Sequence, residues 1–194
     1  MLSLSTSEPT LLTRVTTKYD LEQDRIRLTG ETSQGKVQEI WLTQRLLNRV
    51  LPGLWQWLQA LPTVGVAADQ RAARSIADPQ RQQALQEFAQ QQASASLPEQ
   101  APVVADTMSL PWLVRSAQLQ SSSNTAVLRL YSAAEVEKAQ QPGNFSTSIS
   151  MNPMQLRQWL GIVLNEYRRA EWSIDNWPQW MQAPTTPSET AQLH

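Results

Sequence analysis

The sequence predicts an α+β protein made of two similar β-β-β-α halves, a tandem duplication joined by a mainly helical crossover segment. Three observations lead to this fold class. Two amphipathic helices share one pattern of apolar residues, and each follows short alternating segments that are typical of strands. The residues between the halves differ in composition and are rich in Ala, Gln and Pro. Such a duplication predicts lobes that pack around a pseudo-twofold axis.

The helix that follows Asn152 is the clearest element. The Asn152 side chain can accept a hydrogen bond from the free N–H groups of the first turn, and Pro153 suits the first helical position. The apolar residues recur at the spacing of one buried helical face, and they are Leu156, Trp159, Leu160, Val163, Leu164 and Tyr167. Arg157 and Glu166 are among the residues that we assign to the opposite, solvent-facing side.

The first half contains a helix with the same layout after Thr43. Its apolar residues lie 109 positions before those of the later helix, and they are Leu47, Val50, Leu51, Leu54, Trp55 and Leu58. Pro52 lies inside this helix, where proline removes a hydrogen bond and costs about 3 kcal/mol. We therefore expect a kink or two short helices, and the continued apolar spacing favours the kink.

Alternating residues predict three strands before each helix. In the first half the residues assigned to the core side are Tyr19, Leu21, Ile26, Leu28, Ile40 and Leu42. In the second half the predicted strands cover residues 112–119, 127–130 and 145–151, and Leu128–Leu130 lie 102 positions after Ile26–Leu28. The last strand places Ser146, Ser148 and Ser150 on one face, which we interpret as solvated.

These elements give the domain organisation. Residues 1–10 are a loose N-terminus, 11–61 the first lobe, 62–111 a helical and Pro-rich connector, 112–181 the second lobe with a Trp-rich C-terminal lid, and 182–194 a disordered tail. Within the connector, Asp78 and Pro79 are typical of a helix start, and the helix is expected to reach about Gln92.

Composition argues against catalysis. The chain has no Cys, so thiolate chemistry has no candidate, and its one His is His194, a position where imidazole catalysis is not expected. No phosphate-binding glycine motif and no nucleophile motif is present. The carboxylate pair Asp20 and Asp24 is better explained by a turn than by a cation site. We expect no enzyme activity, no cofactor and no metal.

One candidate binding surface lies on the first lobe's sheet. Strand alternation sends a set of cations and one aromatic ring to the side away from the core, and these residues are Arg14, Lys18, Arg25, Arg27 and Trp41. An aromatic ring among cations could stack on a nucleic-acid base or on a flat anionic ligand. The favoured alternative is that the middle helix, around Leu85 and Phe88, covers Trp41.

The second candidate is the Trp-rich C-terminal run. Trp172, Trp177, Trp180 and Met181 could anchor a partner, since Trp is frequent at binding hot spots. The alternative, which we favour, is that they cap the open end of the core, because large apolar groups are more often buried within their own chain.

These patterns do not define a function, and they leave two main hypotheses. The leading one is a non-catalytic interaction or assembly module, bacterial and cytoplasmic, with a protein partner or a second copy of itself. The alternative is a module that binds single-stranded nucleic acid or a nucleotide through the Arg and Trp41 face. A net charge of −1 does not favour nucleic acid, and no segment has the length and hydropathy of a membrane span.

Overall fold

The computed structural model describes residues 9–61, 79–105, 109–134 and 144–182. These residues form β1 (Thr10–Asp20), β2 (Arg25–Thr32), β3 (Val37–Leu42), α1 (Gln44–Ala60), α2 (Pro79–Ala95), β4 (Trp112–Leu113), β5 (Ser116–Ser121), β6 (Ala126–Tyr131), β7 (Ser146–Met151), α3 (Pro153–Arg169) and α4 (Gln179–Gln182). The predicted α+β class is confirmed. Most of the predicted N-terminal and C-terminal tails and parts of the connector lie outside the described residues, although β1 already begins at Thr10.

All seven strands belong to one sheet with the order β4-β3-β2-β1-β7-β6-β5. Neighbours within β1–β3 and within β5–β7 are antiparallel, whereas β1 pairs with β7, and β3 with β4, in parallel. The two edge strands β4 and β5 are separated in the chain by only Val114 and Arg115. The sheet therefore curls until its two edges meet.

The predicted single strand over residues 112–119 is wrong in one respect, because the chain changes partner within it. Val114 N donates to Trp41 O of β3 at 3.0 Å, and the next residue, Arg115, donates its N–H to Tyr131 O of β6 at 2.9 Å. The backbone must turn from one neighbour to the other at this point. It therefore forms the short β4 and a separate β5.

The two long helices pack on opposite parts of the curled sheet, α1 against β5 and α3 mainly against β1. Their predicted apolar faces are confirmed, since all of these residues are buried except the partly buried Val50. Both faces belong to one core cluster with buried residues from six of the strands, and β5 packs against this cluster through partly buried side chains. Helix α1 runs through Pro52 as a single helix, so the alternative of two short helices is wrong.

Four side-chain assignments from the sequence need correction. Leu21 is 81% exposed, because it lies in the turn after β1 instead of in the strand. Ser148 is buried, since β7 has neighbouring strands on both sides. Arg157 and Glu166 of α3, which the helical pattern assigned to solvent, are buried by α2 and by the end of β1 respectively. The apolar pattern of a helix shows which side faces the core, but it does not show whether another element covers the polar side.

Candidate functional site

A row of side chains crosses the outer face of the first three strands. Lys18 of β1 lies opposite Arg27 of β2, Arg27 lies opposite Trp41 of β3, and Trp41 lies opposite Leu113 of β4. Ile40 and Leu42, on either side of Trp41 in the chain, are buried in the core, so alternation points the Trp41 ring outward. The predicted grouping of Lys18, Arg27 and Trp41 thus corresponds to direct cross-strand neighbours.

The other two predicted residues, Arg14 and Arg25, lie on the same two strands but in different rows. Arg14 lies opposite Glu31, with Arg14 Nε 3.6 Å from Glu31 Oε2, and Arg25 lies opposite Asp20. Each of these cations therefore has a carboxylate across the strand pair. Lys18 and Arg27 instead lie opposite each other, and like Arg25 they make no salt bridge within the described part of the chain.

An extended piece of the connector lies along this outer face. Val103 N donates to Thr16 Oγ1 at 2.8 Å, Arg14 Nη2 donates to Ala101 O at 3.4 Å, and the Val103 side chain is buried. Between this piece and the sheet is a groove of about 270 Å³, lined on the sheet side by Thr16, Lys18, Arg27 and Thr29. The sheet face and an extended main chain thus form the two walls of the groove.

Helix α2 does not cover Trp41, so the favoured alternative from the sequence is wrong. The helix packs on α3 and α4, and Phe88, one of the two residues expected to shield Trp41, is 65% exposed. The buried residues of α2 are Gln86, Gln90 and Ala93, and the two Gln side chains form a polar strip that hydrogen-bonds to Arg157 of α3. The polar contacts of this strip explain why α2 lies on the helical side of the molecule.

The Trp-rich C-terminal run closes the core, as the favoured interpretation expected. Trp177 and Trp180 are each 4% exposed and Met181 is also buried, while Trp172 is partly buried against the same cluster. Trp177 packs against Trp55 of α1 and Tyr167 of α3, at ring-centroid distances of 5.3 and 5.2 Å. A partner could reach Trp177, Trp180 or Met181 only after this segment had moved.

The C-terminal segment is also tied to the turn between β1 and β2. Asp24 Oδ1 accepts hydrogen bonds from the Tyr19 hydroxyl at 2.8 Å and from Trp172 Nε1 at 3.2 Å. This bond to Asp24 is the main reason that the pKa of Tyr19 is raised. Asp20 caps the same turn through Gln23 N at 3.1 Å. The two carboxylates thus have the structural role that the turn interpretation gave them.

A polar cluster that the sequence did not indicate lies between α2, α3 and α4. Arg157 is 8% exposed, donates from Nη2 to Gln86 Oε1, and has its Cζ atom 5.0 Å from the centroid of the Trp180 ring. Gln90 Nε2 donates to the Arg157 carbonyl oxygen at 3.0 Å. Burial lowers the pKa of Arg157 to about 10. The sequence feature that could have indicated this cluster is the Gln-rich composition of α2, because buried Gln side chains need polar partners such as Arg157.

The described residues contain no group of three or more His, Cys, Asp or Glu side chains placed to hold a metal ion. None of the described helices combines the length and the apolar character needed to cross a membrane. The sequence matches no known family model, and comparisons with curated proteins and with solved structures give no significant match.

Proposed function

We propose that this protein is a non-catalytic interaction module, and that its binding surface is the outer face of β1–β3 around Lys18, Arg27 and Trp41. The observation that carries this proposal is a cross-strand row beside a groove, in which one outward aromatic ring accompanies two cations that form no salt bridge with any described residue. A Trp ring supplies contact area at little cost in side-chain entropy, and a cation beside it adds charge recognition. The cytoplasmic location and the identity of the partner stay predictions of the sequence.

The chemistry of the groove favours an extended, acidic polypeptide segment as the partner. Residues 101–105 already lie on this face through main-chain contacts, Val103 N to Thr16 Oγ1 and Arg14 to Ala101 O. The face thus recognises extended main chain within its own molecule. Lys18 and Arg27 supply two positive charges that a carboxylate could neutralise, and such charge-assisted bonds are about twice as strong as neutral ones.

Single-stranded nucleic acid is the second candidate, and Trp41 is the observation that supports it, because bases stack on aromatic rings. The charge of the face opposes it. Asp20 and Glu39 lie in the two rows that flank the Lys18–Arg27 pair on the same face. The positive patch is therefore only two side chains wide, which suits one carboxylate of a short acidic segment, whereas the repeated phosphates of a nucleic-acid backbone would also meet the flanking carboxylates. We therefore place this function second to protein binding.

Photo-crosslinking at the site tests the proposal. A photoreactive phenylalanine analogue is placed at position 41 in the full chain, and in a second protein at position 129. Arg129 is the control because it is also partly buried on a strand, with Ser148 and Gln118 opposite it. The test uses acidic and basic peptides of equal length, a single-stranded oligonucleotide, and cell extract.

We expect crosslinks to acidic peptide from position 41 and not from position 129, and we expect Arg27→Glu to abolish them while Arg129→Glu does not. Oligonucleotide crosslinks that disappear steeply with added salt would favour the second function instead. Equal labelling from both positions, or none from position 41 with any probe, would remove this face as the binding site.

We also propose that the two halves arose by tandem duplication. Each half has three antiparallel neighbouring strands followed by a helix of 17 residues with a side-chain cap, at Thr43 and Asn152. Each helix packs on the first long strand of the other half, α1 on β5 and α3 on β1. The two parallel strand pairs, β1 with β7 and β3 with β4, correspond in the same way, because each joins the first strand of one half to the last strand of the other. A pseudo-twofold axis running along the strands would relate them.

A further inference from the structure

The interface of α2, α3 and α4 contains a buried positive charge without a counter-charge. Arg157 has no carboxylate within salt-bridge distance in the described chain, and its Nη1 group is fully buried without a hydrogen-bond partner. A buried charge that lacks a partner destabilises a fold by several kcal/mol. Buried charges in proteins are therefore normally paired, and an external ligand is one source of the pairing.

Two further polar atoms around Arg157 are also buried and without a partner. They are Trp180 Nε1, on the ring that packs against the guanidinium group, and Gln90 Oε1, on the amide whose nitrogen holds the Arg157 carbonyl. The junction thus presents two N–H donors and one acceptor. A ligand that satisfies all three atoms must accept two hydrogen bonds, carry one negative charge, and donate one hydrogen bond from an N–H or O–H group.

Two clefts reach this cluster from the surface and share the Trp180 ring as a wall. One has a volume of about 270 Å³ and is lined by Gln90, Gly161 and Trp180. The other has a volume of about 560 Å³ and is lined by Gln86, Pro178 and Trp180. Gln86 and Trp180 both contact the Arg157 guanidinium, so Arg157 lies where the clefts approach each other. Arg157 itself lines neither cleft, so a ligand in either cleft would reach it only after the Trp180 side chain that packs against it had moved.

We propose that this junction is a binding site for a small monocarboxylate that carries a neighbouring N–H or O–H, such as an N-acylated amino acid. The carboxylate lies between Arg157 Nη1 and Trp180 Nε1, and the ligand's N–H donates to Gln90 Oε1. One cation with one anion leaves the buried site neutral. This site is separate from the outer sheet face, and it needs only residues of α2, α3 and α4.

The test measures thermal melting of the full chain during titration with N-acetylglycine, with sodium acetate and sodium chloride at equal ionic strength as comparisons. We expect N-acetylglycine to raise the melting temperature and to saturate, acetate to bind more weakly because it lacks the N–H, and chloride to give no saturation. Binding to the folded state alone raises stability in this way. A single ordered water in the junction would give no saturable response to any anion, and that result in the wild type would overturn the proposal.

Variants separate this site from general charge effects. Arg157→Met removes the charge and keeps an apolar volume, a type of change that folded proteins often tolerate. Trp180→Phe keeps an aromatic ring at this position and removes the N–H donor together with part of the ring volume. Arg49→Gln is the matched control, since Arg49 is exposed on α1 and its loss changes the net charge equally. We expect the apparent affinity to fall about tenfold or more in the first two variants, the loss of one charge-assisted bond, and to stay unchanged in the control. An unchanged response in Trp180→Phe and Arg157→Met would overturn the proposal.

Discussion

Tyr167 lies at the centre of the aromatic contacts that join α1, α3 and the C-terminal segment. It is fully buried, its ring meets Trp172 and Trp177 edge-on, and its hydroxyl donates to Asn48 Oδ1 at 2.9 Å. Burial disfavours the phenolate, so the pKa of Tyr167 is raised well above the ordinary value of 10.0. The unfolded chain therefore loses this proton at a lower pH than the folded chain.

Tyr167→Phe is predicted to change the alkaline stability of the protein. The raised pKa of Tyr167 contributes stability that is fully present below pH 10 and is lost as the pH rises above that value. The wild type is expected to lose more stability between about pH 8 and about pH 10.5 than the variant. At pH 8 the variant should lose about 1 kcal/mol with its hydrogen bond. Urea unfolding at both pH values measures this, and parallel declines would contradict it.

Some residues of the candidate sites could be predicted from the sequence because their placement depends on local geometry. Alternation along a strand is enough to send Lys18, Arg27 and Trp41 to one face, whatever the partner strands are. Arg157 and Glu166 lie on the polar side of an amphipathic helix, and the pattern of that helix alone says that they are solvated. Their burial depends on where α2 and β1 pack, which no local rule contains.

At the scale of elements, the two long helices begin at the capping residues that the sequence predicted. Asn152 accepts a hydrogen bond from Gln155 N at 2.9 Å, and the Gln155 side chain accepts one from Asn152 N at 2.9 Å, so two free donors are satisfied together. Thr43 accepts one bond, from Leu46 N at 3.2 Å. The Asn152 arrangement is a capping box with one more bond than the Thr43 cap.

The two caps are predicted to differ in how much stability the protein loses when each capping residue is replaced by Ala. Thr43→Ala and Asn152→Ala should each cost about 0.5–2 kcal/mol, with Asn152→Ala at the upper end, since its loss also frees the Gln155 side chain. Urea unfolding monitored by circular dichroism measures both, and Met154→Ala on the exposed side of α3 serves as a control. A larger cost for Thr43→Ala than for Asn152→Ala would show that the extra bond contributes nothing.

The break between β4 and β5 is the element-scale feature that the sequence did not indicate. Residues 112–119 alternate as one strand would, and neither proline nor glycine marks the change of partner at Val114 and Arg115. The break arises because the curled sheet brings β3 and β6 to the same stretch of chain. It is a consequence of closure, so only the assembled sheet determines it.

At the scale of the whole molecule, both halves contribute to one core. The cluster of buried side chains includes Leu51 of α1 and Leu160 of α3, and the sheet runs without interruption through β1 and β7. Neither half keeps its own core if the other is removed, since each long helix covers a strand of the opposite half. The protein is therefore expected to unfold as one cooperative unit, although its sequence divides into two similar parts.

Leu51→Ala and Leu160→Ala test this unity together with the proposed duplication. The two residues lie 109 positions apart, would occupy equivalent places in the proposed repeat, and are both fully buried. Each substitution should cost about 2–5 kcal/mol, the range for truncation of a buried leucine. In both variants the circular dichroism of the helices and the Trp fluorescence should report the same midpoint urea concentration. The reason is that neither helix can unfold alone while the shared core stays intact. Two separate transitions in either variant would refute the single core. If the losses in free energy of unfolding for the two variants differ by more than the width of this range of about 2–5 kcal/mol, the result would count against the equivalence of the two halves.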